Sequence, residues 1–393
     1  MKRKLSISAA VILVLIGALL TFQVTYSFVG MKYQNKLDEL TAMGYDFSKL
    51  SAIDALVRDQ YPGVIDEKLL EESALRGYMK GLGDAESYYL NSEELDEYLF
   101  RVAGDRCGIG VSVCALGATS HMTVYSVFDQ SSAQAAGILK GDRILSVNSS
   151  VVSAENFSSL ASALYGKEGE KVSLAILRSE QIINLEVSYA PVKEHTLYWE
   201  VLDGNIGYVR IYGFNSYTVS DFCAAVDSLV AKNVKGIVFD LRHNNDGAMS
   251  DAVSMLDYLI NDKVIARSYV KSGEYTTHNA TSDHSVDLPY SVIIDRETGA
   301  GAELFASSLR DCTGAKLVGE TSLGDGCDSA LIRLADHTGI VLTVGYYAPA
   351  VSEEFRSVGV KCDIGAPLYD ESYLYRIDIV NDLQLKLSLE SFS

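Results

Sequence analysis

The 393-residue chain lacks basic clusters. Lys2, Arg3 and Lys4 form its one run of cations, against a formal net charge of −19. A polyanion would be repelled by that balance, which argues against nucleic acid as a partner. Cysteine is scarce and scattered. The six (Cys107, Cys114, Cys223, Cys312, Cys327, Cys362) include no Cys-x-x-Cys pair, and no histidine stands at ligand spacing. A zinc site is therefore disfavoured, and no metal or other cofactor is expected. Two readings of the thiols stay open: free buried cysteines, or a disulfide with Cys312–Cys327 as first candidate on sequence proximity. There is no short-period repeat, which disfavours a solenoid. No Pro/Gly-rich linker separates the helical region from the β-rich segment after it. With 48% hydrophobic and 22% charged residues, the chain is globular and long enough for two or three folded units.

The three cations precede an uncharged apolar run from Leu5 to about Phe22. A membrane span needs roughly 20 such residues. The run continues through Val24, Tyr26, Phe28 and Val29 without a small-x-small cleavage site. Residues 1–30 thus read as an uncleaved signal anchor, a single pass in the cell membrane with the main domains extracytoplasmic. A cleaved signal peptide is the alternative.

Residues 31–102 read as helical. Leu69, Leu70, Leu75, Tyr78, Met79 and Leu82 fall at helical spacing, Gly83–Ser87 breaks the pattern, and Ser92 reads as the N-cap of a further helix. Residues 103–191 change to short strands and turns. From 192 to 393 strands alternate with helices, the signature of an α/β core. The core strands include Ile206–Tyr212, Gly236–Leu241 and a closing strand at Val360–Ile364.

In the middle segment, Ala136-Gly137-Ile138 precedes Gly141-Asp142-Arg143-Ile144 and Val147-Asn148, and Gly108-Ile109-Gly110-Val111 lies upstream. Small glycines let successive backbone N–H groups converge on an anion, while an adjacent strand edge pairs with an extended peptide. The segment resembles a bacterial PDZ domain. The resemblance implies protein C-terminal peptides as partners, with Gly108, Ile109, Gly110 and Val111 as the peptide-binding loop. Arg106 either assists the anion or is an ordinary surface arginine.

The rest carries several motifs in order: Arg76–Leu82, Ile206–Ile211, Phe239-Asp-Leu-Arg-His-Asn-Asn-Asp-Gly247 and Val360–Ile364. Together they resemble the C-terminal processing (tail-specific) serine peptidases. The fold this implies is multidomain α/β: membrane anchor, helical segment, PDZ-like β-rich domain, and a ClpP/crotonase-like α/β peptidase core. Active relatives use a serine nucleophile and an uncharged lysine base. Glu303 and Leu317-Val-Gly-Glu320 fix the register of the serine-bearing stretch, which here reads Thr298-Gly-Ala-Gly-Ala-Glu303 and puts Ala300 in the nucleophile position. The Gly-Lys-Gly turn reads Gly324-Asp325-Gly326, so Asp325 holds the base position, and Ser329 falls where some relatives have a supporting glutamine. On this reading no catalytic residue is intact. Thr298, Ser307 and Ser308 are hydroxyls near the slot but out of reach. Asp246 occupies a turn that relatives fill with glycine, either opposing an oxyanion or turned to solvent. His243 either faces the site or is solvated, and His121, His195, His278, His284 and His337 show no triad-like companions.

Three functions stand as expectations. The first is a proteolytically inactive, anchored protein that binds C-termini and regulates an active paralogue or scaffolds a partner. The second is an active endopeptidase with displaced catalytic residues. The third is a structural envelope protein with an unused groove. A homodimer through the helical region is implied by the resemblance alone.

Overall fold

A computed structural model describes residues 47–115, 122–153, 155–281, 284–374 and 377–392, so the expected anchor lies outside the described residues. Among those described, no helix is long and apolar enough to cross a membrane. They form two compact units that divide between Ser73 and Ala74. In the first, helix α1 (Ser48–Gln60) carries Arg58, which pairs with Asp54 one turn back and with Glu67. Leu50, Ile53 and Leu56 of α1 are exposed. Helix α2 spans Glu67–Lys80.

Strand β1 (Tyr88–Leu90) leads into helix α3 (Ser92–Ala103). Ser92 is not its cap. Asn91 accepts from the Glu94 amide at 3.0 Å, and the Glu94 carboxylate accepts from the Asn91 amide at 2.9 Å. Moving the cap one residue upstream is what brings a glutamate to the third helical position and closes this reciprocal pair.

The next elements are β2 (Asp105–Gly108), β3 (Val111–Ala115), β4 (Met122–Val127), α4 (Ser132–Ala135), β5 (Arg143–Val147), β6 (Ser150–Val151), α5 (Phe157–Ser162), β7 (Lys171–Arg178), β8 (Gln181–Ser188) and β9 (Ala190–Lys193). An antiparallel sheet runs β3-β4-β5-β7-β8 with β6 beside β5, and β2 pairs with β9. On β7, Val172, Leu174 and Ile176 are buried and Lys171 and Ser173 exposed, the period of two expected of a half-covered strand. The inward side chains join Ile109, Met122, Val124 and Ile144 in one small core. Asp142 is 2% exposed. It accepts from the Leu139 amide at 2.8 Å and from Arg178 at 2.6 and 2.7 Å, which fixes the turn between α4 and β5.

The remaining elements are β10 (Leu197–Leu202), β11 (Ile206–Ile211), α6 (Thr218–Ala231), β12 (Ile237–Asp240), α7 (Met249–Leu259), β13 (Val264–Val270), β14 (Tyr275–Asn279), β15 (Tyr290–Ile294), α8 (Ala300–Thr313), β16 (Lys316–Gly319), β17 (Cys327–Arg333), β18 (Gly339–Pro349), β19 (Ile364–Gly365) and α9 (Leu383–Glu390). The main sheet runs β10-β11-β12-β15-β16-β19, parallel except at the β10–β11 pair. Val209, Phe239 and Val292 on one face pack with residues of α6, α7 and α8. Tyr208, Val238 and Ile293 on the other pack against Leu385 of α9. Phe222, Phe239 and Phe305 pack their rings 5.3–5.7 Å apart, Phe305 edge-on to the other two, and each such burial stabilises by about 1.5–3 kcal/mol. A second sheet runs β1-β18-β13-β14, with β17 along β18.

The closing strand is shorter than expected: only Ile364–Gly365 pair, while Val360 is spent on a loop contact with Ser322. Cys312 and Cys327 are not bridged. Both are free thiols, donating to the carbonyls of Val264 and Asp325.

Candidate active site

The C-terminal ends of β12 and β15 converge on one turn of backbone. Asp240, at the end of β12, is wholly buried between Arg210 and Arg242. Burial alone would raise its carboxyl, but the two guanidiniums hold it well below the usual range. Arg242 continues to Gln384 and Asp382 at the start of α9. Beyond it, His243 donates its amide to Asp295 at 3.0 Å and places its Nδ1 2.6 Å from the same carboxylate. Asp295 directly follows β15 and also receives the Glu297 amide, so its contacts with His243 tie the two strand ends together.

Helix α8 starts at once. The Thr298 hydroxyl is buried, accepting from the Asp295 amide at 3.0 Å and donating to Leu241 O at 2.9 Å. Ala300 sits at φ 49°, in the left-handed region, where a residue with a Cβ is strained by about 1–2 kcal/mol. Gly301 holds it there. Its amide bonds Gly247 O at 3.0 Å, and a Cβ on it would lie 2.7 Å from that oxygen. The elbow presents residue 300 at the head of a 14-residue helix, into a cleft of about 510 Å³. Asp325, Ser329, Asp246 and Gly247 line the same cleft. The three positions singled out in the sequence therefore meet in one place.

Glu303, in the first turn of α8, positions the loop that carries Asp325. It accepts from the Ser322 hydroxyl and the Gly324 amide at 2.5 and 2.6 Å, and from the Asp325 amide at 2.9 Å. Burial pushes the Glu303 carboxyl up to about 7, against the pull of those donors. Asp325 turns its own carboxylate onto the Cys327 amide at 3.1 Å and is raised by burial. Cys327 also lines the cleft, but burial and Asp325 push its thiol up to about 12 and keep it protonated. Asp246 lines the cleft with its side chain still 38% exposed, and both of its oxygens are engaged. One oxygen accepts from the Gly247 amide at 2.9 Å and the other from Arg101 of α3 at 2.8 Å.

The other hydroxyls and histidines fall elsewhere. Ser307 donates to Glu303 O within α8, and Ser308 is wholly buried. His243 is engaged by Asp295 and is not among the cleft-lining residues. His195 does have a companion, Asp221 at 2.8 Å, and stands at the cleft rim. His278 Nε2 meets Ser268 Oγ at 3.0 Å, but neither lines the cleft. His121 lies outside the described residues.

A second groove, of about 300 Å³, lies between β3 and α5 and is lined by Val111, Val113, Phe157, Ala161, Arg106 and Tyr165. Of the four loop residues expected to bind peptide, Val111 lines it. Gly108 is bridged to Tyr165, Ile109 is wholly buried and donates its amide to Leu164 O, and Gly110 stands at φ 84° against Ser131. Arg106 is no ordinary surface arginine: its side chain is 13% exposed and its guanidinium lies 3.5 Å over the Tyr165 ring. Glu97, Ser112 and Glu194 border it, and Ser112 and Glu194 also line the main cleft. Burial raises the Glu194 carboxyl, with Arg106 opposing. Neither Arg101 nor Glu194 is marked in the sequence, because their partners lie 145 and 82 residues away.

Comparison with known proteins agrees with this architecture. Peptidase family S41 matches residues 205–366 and the PDZ domain matches residues 107–189. The carboxy-terminal processing protease CtpA of Bacillus subtilis (strain 168) is 29% identical over 384 residues, spanning 96% of this chain and 80% of that protein. The carboxy-terminal-processing protease of Bartonella bacilliformis is 26% identical over 339 residues, spanning 84% and 76%. The solved photosystem II D1 C-terminal processing protease superposes with a TM-score of 0.53 over 82% of this chain and 87% of its own, at 21% identity, and so shares the fold. The chain is a homologue of the carboxy-terminal processing proteases, with a PDZ domain followed by a family S41 peptidase domain.

Proposed function

We propose that this homologue is a proteolytically inactive, membrane-anchored protein that binds protein C-termini through its PDZ groove and acts as a regulator or scaffold. Ala300 carries the reading. The strained elbow at φ 49° offers a methyl group to the cleft where an acyl-enzyme would need an oxygen. Asp325 can accept a proton, but its carboxylate is turned onto the Cys327 amide rather than onto a hydroxyl. The Gly247 amide, a donor an oxyanion would use, is already taken by Asp246. Arg106 supports carboxylate binding in the groove, as a cation at its wall with an aromatic ring beneath it. The cations before the apolar run at residues 5–22 support an anchor with the main domains outside. The exposed Leu50, Ile53 and Leu56 are in keeping with a homodimer, and an active paralogue is the natural partner for a regulator.

The competing reading, an active endopeptidase with displaced residues, has the Ser268–His278 hydrogen bond in its favour. Treating the full-length chain with a fluorophosphonate probe and with unfolded casein separates the two. Neither labelling nor cleavage is expected, and cleavage abolished by Ser268→Ala would overturn the proposal. For the groove, a peptide with a free terminal carboxylate is expected to bind more tightly than its amide, and Arg106→Gln should erase the difference.

A further inference from the structure

Between the PDZ domain and the peptidase domain lies a second cleft, of about 530 Å³, distinct from the peptide groove on β3. One wall is the end of β4 and the residues after it, from Ser126 to Asp129, and the other is β10, with Tyr198 and Trp199, together with Asp221, Ala224, Ala225 and Ser228 of α6. Strand β10 is the edge of the main sheet and pairs only with β11 among the described residues. An edge strand offers unpaired backbone groups to an extended chain.

Lys140 reaches into this cleft from the turn that Asp142 and Arg178 lock. Its amine lies 4.7 Å from the Tyr198 ring centroid and 6.0 Å from that of Tyr212, and it forms no ion pair among the described residues. Burial and the nearby Arg210 lower it to about 8, outweighing Glu200 and Asp240. The carboxylates of the cleft are already engaged: Asp221 with His195 at 2.8 Å, and Asp129 with Gln134 at 3.2 Å. The amine is thus a cation short of an anion, held over aromatic rings beside an open strand edge. His195 and Tyr212 line this cleft and the main one alike, so a chain laid along β10 leads from one into the other.

We propose that this cleft is a second peptide site, which takes an extended segment of a partner protein along β10 and pairs an aspartate or glutamate side chain of that segment with Lys140. A side-chain carboxylate, rather than a chain terminus, keeps this site independent of the PDZ groove.

Trp199 is the single tryptophan of the chain and sits in the cleft wall, so its fluorescence reports occupancy directly. The full-length protein is titrated with the blocked peptide acetyl-Ala-Val-Glu-Val-Ala-amide and with its glutamine counterpart; neither has a free terminus to engage the PDZ groove. The glutamate peptide is expected to shift Trp199 emission and to bind about tenfold or more tightly than the glutamine one, the range of one charge-assisted hydrogen bond. Lys140→Gln should abolish the preference and Lys140→Arg retain it, with calorimetry as a second readout. Equal binding of the two peptides, no binding of either, or a preference that survives Lys140→Gln would overturn the site, whatever the outcome at the PDZ groove.

Discussion

Arg101 of α3 donates to Asp246 across 2.8 Å, and the other oxygen of that carboxylate accepts the Gly247 amide at 2.9 Å. All three residues line the cleft, and on the proposed reading the Gly247 amide is a donor that an oxyanion would need. On that reading a serine at residue 300 would still lack this amide, and the Asp325 carboxylate stays turned onto the Cys327 amide. Ala300→Ser alone is expected to leave fluorophosphonate labelling at background. Ala300→Ser with Asp325→Lys should label slowly. Adding Asp246→Gly to that pair should raise the rate about 100-fold, the usual worth of one oxyanion donor. Labelling by the single variant as fast as by the triple would show that Asp325 and Asp246 block nothing.

Ala300 itself makes a stability prediction of unusual sign. Alanine to glycine near a helix start ordinarily destabilises, because glycine loses more backbone entropy on folding. At φ 49° the Cβ is the liability. Ala300→Gly should therefore stabilise by about 0.5–1 kcal/mol, the relief of left-handed strain less the entropy cost. A rise in the urea midpoint at unchanged slope is the expected result, and a fall would mean that residue 300 is not held in the elbow.

The sequence is most legible at positions where backbone geometry admits few residue types. The PDZ motif reads clearly because Gly110, Gly137 and Gly141 all stand at φ between 76° and 87°. The residues that anchor the expected register of Ala300 are constrained in a similar way: a Cβ on Gly319 would lie 2.0 Å from Ile294 O, and Glu303 has three donors to satisfy. Helix α9 was illegible. Its sequence Leu-Gln-Leu-Lys-Leu-Ser-Leu-Glu alternates with the period of a strand, yet it coils, because Asp382 caps it and Gln384 is needed inside to meet Arg242 and Ala366 O. The β13–β14 hairpin carries no sequence signature either, since Tyr275–Thr277 are exposed and leave no burial pattern. Contacts such as Arg101–Asp246 join residues far apart in the chain, and a single sequence carries no mark of them.

The buried Asp240–Arg242 pair tests the scaffold beneath the cleft. Arg242 is 1% exposed and serves Asp240, Asp382 and Gln384 together. Arg242→Met would leave Asp382 without its cation and Asp240 with Arg210 alone. Removing one partner of a buried pair costs about 3–5 kcal/mol. A loss of that size in denaturant unfolding is expected, with α9 the first element to lose amide protection in hydrogen exchange. A loss below about 1 kcal/mol would be the size of a surface pair and would show that the network is not what joins α9 to β12.

Glu303 gives the pH dependence. Its carboxyl is raised from an ordinary 4.5 to about 7, mainly by burial. Between those values the folded chain keeps a proton that the unfolded chain has released. Stability from this group is therefore greatest below pH 4.5 and falls as pH rises through about 7. The size is on the order of 3 kcal/mol across the window. Glu303→Gln cannot ionise, so its unfolding free energy should decline less between pH 5 and 7.5 than that of the parent, even though the variant turns an amide donor toward the Asp325 N–H. Asp325, Glu194 and Asp382 are also raised by burial and tilt both proteins the same way, so the difference between the two pH profiles isolates residue 303. Parallel profiles would mean that Glu303 is ionised throughout, held by its three donors rather than governed by its burial.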